Sequence, residues 1–136
     1  MILQAIQKDK MKTIAILQPT GELTAVGFQP DENEMLARLQ AACGGYVQAI
    51  DMTDTLTMWV NEEGKLNGSE WNECATAIWH AIYGPSDTIF GTVVFTGGAD
   101  EDGDTQSISD EDWARLAHVA EAYDRAVKEG FAGVGM

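Results

Sequence analysis

The sequence predicts a single α+β domain, in which a mostly antiparallel sheet has about three helices packed on it. Short β-type runs and helical repeats follow one another in the order ββαββαβα, so helices do not regularly separate the strands as they do in a doubly wound parallel sheet. The 136 residues are typical of one domain, and no segment has the composition of a linker between two. We therefore expect one sheet with its helices packed on one face.

The first half of the chain predicts two pairs of strands that flank one helix. Each β-type run is apolar or alternating, and turn residues such as Gly21 separate the runs. The helical repeat between the pairs begins at Asp31, which is a favourable N-cap, and ends at Gly44, which tolerates the left-handed backbone of a C-terminal cap. The predicted strands are residues 13–17, 23–28, 46–51 and 55–61.

The second half of the chain predicts a helix, a central strand and a longer helix. Ser69 is a candidate N-cap for the second helix, which Gly84 ends just before a proline. Residues 88–96 form the strongest β-type run of the chain and predict a central strand. An acidic loop follows, and Ser109 then caps a third helix that Gly130 ends.

The two ends of the sequence fall outside the predicted domain, which covers residues 12–130. Residues 1–11 predict a loosely held N-terminal extension, in which Met11 is an alternative start that the intact mass would reveal. Residues 131–136 are rich in glycine and predict a flexible tail.

The charge of the chain restricts its partners. Twenty-two acidic residues against eight basic ones give a formal net charge of −14. Such a surface repels phosphate, so we expect no direct binding to nucleic acid or to anionic membranes. The same charge suits cations, basic protein surfaces or mimicry of DNA, although a strong mimic would not mix charges as the third predicted helix does. Solubility alone is the alternative explanation of the charge.

The sequence has no signature of secretion or of membrane insertion. No apolar stretch approaches the roughly 18 residues that a transmembrane helix needs, and the first residues do not resemble a signal peptide. We therefore expect a cytoplasmic protein. Cys43 and Cys74 have no metal-ligand spacing, and we expect both to be reduced, buried residues.

The residues that nucleophilic catalysis needs are not arranged together in the sequence. The two histidines, His80 and His118, fall at the surface or boundary of predicted helices. Cys74 precedes His80 on one predicted helix, at a spacing that points the two side chains to different sides. We therefore expect a protein that is not an enzyme and that has no cofactor.

Several segments of the chain carry a resemblance to a known family. They are residues 44–47, residues 61–68, Asn72 with Ala75, residues 89–94 and residues 109–111. The stretch Asn-Glu-Glu-Gly-Lys-Leu that begins at Asn61 is the most specific of them. Over roughly residues 12–113, the chain resembles the small phage and actinobacterial proteins grouped as domain of unknown function 3846. The resemblance implies an origin in a phage or another mobile element and an accessory role, and it implies no particular activity.

A polar loop before the second predicted helix is the first candidate binding site. It leads to a helix N-terminus, where free backbone N–H groups favour anions, and Lys65 would add a positive charge. The alternative is a hairpin turn in which Gly64 supplies a positive φ and Asn72 bonds the start of the helix. The candidate ligand-binding residues are Asn61, Glu62, Glu63, Lys65, Asn67 and Asn72.

The acidic loop before the third helix is the second candidate site. Its carboxylates match positions one, three, five and twelve of a calcium-binding EF-hand loop. Gly103 comes too early for that pattern, and a strand rather than a helix leads into the loop. The alternative is a solvated acidic loop without a cation. The candidate metal ligands are Asp100, Asp102, Asp104 and Glu111.

These observations favour an accessory protein that acts by binding rather than by catalysis. We expect its partner to be a host protein with a basic surface, such as a host or defence factor that it inhibits, and we expect the binding to weaken with salt. The alternative is a small-ligand-binding protein or an enzyme that uses residues 61–72, which requires a concave polar pocket there. The sequence leaves the oligomeric state open, and an oligomerisation module would need a broad exposed apolar patch.

Overall fold

The computed structural model describes residues 11–29, 34–65 and 68–130. Within these ranges, strands and helices follow the predicted order ββαββαβα and form one α+β domain. The strands are β1 (Lys12–Leu17), β2 (Leu23–Phe28), β3 (Val47–Asp51), β4 (Thr57–Asn61) and β5 (Val93–Thr96). The helices are α1 (Glu34–Cys43), α2 (Glu73–Tyr83) and α3 (Asp110–Lys128).

The strands form one antiparallel sheet in the order β2-β1-β5-β4-β3. The two hairpins, β1–β2 and β3–β4, flank β5, which pairs with β1 on one side and with β4 on the other. This placement confirms that the strongest β-type run contains the central strand. Among the described residues, β2 and β3 each have one unpaired side and are the edge strands of the sheet.

Helices cover both faces of the sheet, so the expectation that they pack on one face alone is wrong. Leu17, Met58 and Phe95 belong to the core that lies under α2 and α3. Ile14 and Val94, which alternate with them along the strands, pack with α1 on the opposite face. A strand buried on both sides needs apolar residues at successive positions. The unbroken apolar runs in β1 and β5 are the sequence signal for two covered faces.

The strand β5 is shorter than the predicted run of residues 88–96 because residues before Val93 bond to α2 and to the segment just before it instead of to the sheet. The Ile89 amide donates to Thr76 Oγ1 on α2 at 2.9 Å. Gly91 then adopts a φ of 82°, a left-handed conformation at the bend that leads into β5. The β-type composition thus predicts the burial of Ile89 correctly but not its pairing partner.

Helix α2 begins after Asn72 and not after Ser69, which corrects the predicted N-cap. Asn72 Oδ1 accepts a hydrogen bond from the Ala75 amide at 3.0 Å, as an N-cap side chain does. The residues before Asn72 are held outside the helix by an isolated β-bridge between Trp71 and Phe90. Tertiary contact therefore sets the start of α2.

The remaining predictions about helix ends and chain ends have different outcomes. Ser109 Oγ accepts from the Asp112 amide at 3.1 Å, which confirms Ser109 as the N-cap of α3. Asp31 lies outside the described residues, as do residues 1–10 and the predicted tail at residues 131–136. None of the helices in the described ranges is long and apolar enough to span a bilayer.

Candidate functional site

Asn72, one of the predicted ligand-binding residues, is completely buried, with 0% of its surface exposed. Its Nδ2 donates to the Leu17 carbonyl at 3.1 Å and to the Gly91 carbonyl at 2.9 Å. Its Oδ1 caps α2, as described above. Asn72 therefore ties the end of β1 and the segment before β5 to the start of α2, and its side chain has no polar atom left for a ligand.

Of the other residues of the predicted polar loop, some form hydrogen bonds within the turn and some line an open cleft. Asn61 Nδ2 donates to the Cys43 carbonyl at 3.0 Å, and Asn61 Oδ1 accepts from the Glu63 amide at 2.8 Å. The bond from the Glu63 amide is a turn contact of the kind that the hairpin-turn alternative expects, but Gly64 is not among the glycines with positive φ, so that part of the alternative is wrong. Glu62 and Lys65 nevertheless line a cleft together with Asn61. Asn67 lies outside the described residues.

The cleft lies beside the edge strand β3 and has a volume of about 640 Å³. This volume is in the range of small-molecule sites, although the cleft is open to solvent. Its apolar lining consists of Ile50, Val60, Trp79, Ile89 and Phe90. Its polar lining consists of Gln48, Asp51, Asn61, Glu62, Lys65, Asp87 and Thr88. The concave polar pocket that the ligand-binding alternative requires is therefore present.

The charge of Lys65 in this cleft is balanced by Asp87. Lys65 Nζ forms an ion pair with Asp87 Oδ1. The hydrogen bond from Lys65 holds the pKa of Asp87 below its ordinary value, against a smaller opposing effect of burial. Asp51 and Glu62 also line the cleft and make no ion pair within the described residues. The cleft consequently suits a cationic group better than the anion that Lys65 and the helix N-terminus suggested.

The acidic loop after β5 is organised around Asp100. Asp100 Oδ1 accepts from the amides of Asp102 and Asp104, both at 2.9 Å, and Asp100 Oδ2 accepts from Gln106 Nε2 at 2.9 Å. Glu111 lies in the first turn of α3, and its Oε1 accepts from the Arg115 guanidinium at 2.6 Å. Among the described residues, no group of three or more potential ligands is placed to hold a metal ion. The geometry gives the calcium hypothesis no support, and that hypothesis stays a prediction.

Carboxylates gather at the end of the sheet where β3 and β5 finish and β4 begins. The turn after β3 contacts the start of α3 at this end, since Thr55 Oγ1 donates to Asp112 Oδ2 at 2.9 Å. We call this region the acidic end. Its carboxylates belong to Asp51, Asp54, Asp100, Glu101, Asp102, Asp104, Asp110, Glu111 and Asp112.

Few basic side chains neutralise the acidic end. The ion pairs of the described residues are Arg38–Glu34, Lys65–Asp87, Arg115–Glu111, Arg115–Asp112 and Lys128–Asp124. Arg115 is the one base in these pairs that reaches the acidic end, at 2.6 Å from Glu111 and 3.6 Å from Asp112. The other carboxylates of the acidic end form no ion pair within the described ranges, so the described part of this surface carries a net negative charge.

The two cysteines are buried and free, as predicted. Burial raises the pKa of Cys43 to about 12, and burial with the nearby charge of Glu73 raises that of Cys74 to about 11. Because the thiolate is the reactive form, we expect both thiols in the folded protein to react with a disulfide reagent at least about a hundredfold more slowly than in denaturant. Following the released thiol chromophore checks this, and fast labelling of the folded protein would contradict it.

The family resemblance extends over most of the chain. A family model described as Domain of unknown function (DUF3846) matches residues 11–123, so the match includes the acidic loop and most of α3. No curated protein and no solved structure is similar enough to the chain to match.

Proposed function

The chain belongs to the DUF3846 family, whose description names no function, and we propose that it acts without catalysis by binding a protein partner with a basic surface. The acidic end supports this proposal because most of its carboxylates form no ion pair within the described residues. Complementary charge steers association and orients a partner. The proposed partner is a host protein, such as a defence factor that binding would inhibit, because the resemblance to phage proteins favours an accessory role.

The acidic loop presents its carboxylates from an ordered scaffold. The Asp100 side chain holds the amides of Asp102 and Asp104, and the bridge between Ala99 and Thr105 closes the loop at its base. Glu101 and Asp102 are exposed. An ordered surface loses less conformational freedom when it binds than a mobile one does, so this arrangement favours affinity.

Capture of partners from host lysate tests the proposal. The tagged protein is incubated with lysate that has been treated with nuclease, and the bound material is washed at low and at high salt. We expect a stoichiometric protein that survives the nuclease and leaves with salt, because charge attraction is screened at high ionic strength. Capture that depends on nucleic acid, or the lack of any salt-sensitive protein, would contradict the proposal.

A small-ligand-binding role is the second candidate, and the cleft beside β3 favours it. Asn61, Glu62 and Lys65 line that cleft, as the alternative requires. Because Asp51 and Glu62 have no basic partner among the described residues, the expected ligand is a small cation with an apolar part. A thermal-shift screen with organic amines tests it. A stabilised protein that loses the effect on Glu62→Gln supports this candidate, and no shift across the set opposes it.

A further inference from the structure

We propose that the open edge of β3 is the docking site for an extended basic segment of the partner, which joins the sheet as an additional strand. This inference rests on the proposed function, because it specifies how a basic protein partner is held. Addition of a strand to a sheet edge supplies main-chain hydrogen bonds, while pockets beside the edge select side chains. The cleft beside β3 is such a pocket.

Every second residue of β3 has its backbone N–H and C=O groups facing away from the sheet. Tyr46 and Met52, which flank β3, both bond across to the β4 side of the hairpin, at 3.0 and 2.8 Å. Because antiparallel bonding alternates along a strand, the even-numbered residues between them also bond β4, and the odd-numbered residues direct their N–H and C=O groups outward. The outward-facing residues are Val47, Ala49 and Asp51.

Most of this edge is open within the part of the chain that the structure describes. The Tyr83 hydroxyl donates to the Asp51 carbonyl and marks the end of the edge nearest the acidic end. The outward backbone groups of Val47 and Ala49 form no hydrogen bond within the described ranges. Such a row of free donors and acceptors accepts an extended chain.

Exposed aromatic side chains lie next to the open edge. Tyr46, just before β3, is 76% exposed, and Tyr83 is 46% exposed. The Tyr83 ring stacks at a tilt on Trp79, with 4.5 Å between the ring centroids, and Trp79 lines the cleft. Aromatic residues of this kind dominate protein interfaces, and their faces attract the cations of lysine and arginine.

The charges around the edge select a basic occupant. Asp51 is the last residue of β3 and Asp54 lies in the turn after it, while Glu62 lies across from Tyr46 at the other end. The one neighbouring base that lines the cleft, Lys65, is paired with Asp87. A second copy of this chain, with its net charge of −14, would be repelled from such an edge, whereas a segment that carries lysine or arginine would be attracted.

An alternating Lys-Val hexapeptide, blocked at both ends, is the probe for this site. Its affinity for the whole chain is measured by NMR titration, together with that of an analogue N-methylated at its two central residues, which keeps the charge but loses one edge-facing donor in either register. We expect the methylated analogue to bind about tenfold more weakly or worse. We also expect the shift changes to centre on the amides of Val47 and Ala49.

Two proline variants supply a matched control on the protein. Ala49 and Ala25 are both exposed alanines in the middle of edge strands, and the pairing of β2 with β1 also directs the Ala25 amide outward. Proline is tolerated on an edge strand where the N–H faces outward. We expect Ala49→Pro to weaken peptide binding about tenfold and Ala25→Pro to leave it unchanged. If Ala49→Pro does not fold, the difference in affinity between the two peptides for the unaltered protein still tests docking at β3.

The outcomes separate this inference from the proposed function. Equal binding of the two peptides, equal effects of the two proline variants or no peptide binding would overturn docking at β3. A salt-sensitive protein partner captured from lysate would leave the proposed function standing in each of those cases. A dimer of this chain that Ala49→Pro dissociates would assign the edge to a second copy and would equally overturn the inference.

Discussion

Replacing Asn72 with alanine is expected to lower the free energy of unfolding by about 3 to 5 kcal/mol. The substitution removes the Asn72 donor from the carbonyls of Leu17, which is buried, and Gly91, which is partly buried, and leaves the Ala75 amide without its cap. Leaving a polar group without its partner costs more free energy than the hydrogen bond contributes when it is formed. All three lost bonds therefore lower the free energy of unfolding. Denaturant unfolding followed by tryptophan fluorescence measures the effect.

Two further variants show which contact of Asn72 matters. Asn72→Asp keeps an acceptor for the Ala75 amide but sets a carboxylate against two carbonyl oxygens, so we expect it to be at least as destabilising as alanine. Asn61→Ala, at a partly buried asparagine in the hairpin turn, is the matched control and is expected to cost about 1 kcal/mol. Near-native stability of Asn72→Asp would show that the cap alone carries the effect.

Replacing Gly97 with alanine is expected to destabilise the protein by about 2 to 3 kcal/mol. A Cβ atom at Gly97 would lie 2.5 Å from the Ser107 carbonyl oxygen and 3.2 Å from Gln106 Cβ. The Ser107 carbonyl belongs to the backbone, and the neighbouring bond from the Gly97 amide to the Gln106 carbonyl, at 2.9 Å, holds the two segments together. The backbone has to shift to admit the methyl group, and thermal unfolding measures the cost.

The next residue provides the control for this variant. A Cβ atom at Gly98 would lie 3.5 Å from the Asp54 carbonyl oxygen, an ordinary contact, and Gly98 is not among the glycines with positive φ. We therefore expect Gly98→Ala to change the stability by less than about 0.5 kcal/mol. Equal effects of the two alanine substitutions would contradict the close approach at Gly97.

The sequence predicts the order of the elements because each strand and helix has its own apolar period and its own turn residues. It does not predict where the backbone of a segment bonds to a neighbouring element instead of continuing the strand or helix that its composition favours. Residues 88–91 have β-type composition, yet Ile89 bonds α2 through Thr76. Ser69 is a good N-cap by type, yet the bridge of Trp71 to Phe90 delays the helix. Both errors arise from contacts between residues distant in sequence.

The same distinction between local contacts and contacts of residues distant in sequence applies to the candidate site. The bond from the Glu63 amide to Asn61 Oδ1 is a local turn contact that follows from residue type and spacing, whereas the bond from Asn61 Nδ2 to the Cys43 carbonyl joins residues 18 apart in sequence and does not. The ion pair of Lys65 with Asp87 joins residues 22 apart in sequence, and nothing in either residue's neighbours indicates it. The acidic end likewise brings the carboxylates of the β3–β4 turn beside those of the acidic loop and the start of α3, and only the sheet topology makes the turn adjacent to the other two.

Two triple variants of equal charge test the central claim, that the acidic end binds the partner. One neutralises Asp54, Glu101 and Asp102 as Asp54→Asn, Glu101→Gln and Asp102→Asn, all exposed carboxylates of the acidic end. The control neutralises exposed carboxylates elsewhere, as Glu22→Gln, Glu121→Gln and Glu129→Gln. Each variant removes the same amount of negative charge, so the comparison isolates position.

The decisive measurement is calorimetric titration of the captured partner with both variants and the unaltered protein at low salt. We expect the variant at the acidic end to bind about tenfold more weakly or worse, and the control variant to keep an affinity close to that of the unaltered protein. Equal affinities of the two variants would contradict the claim, because net charge rather than the acidic end would then govern the binding.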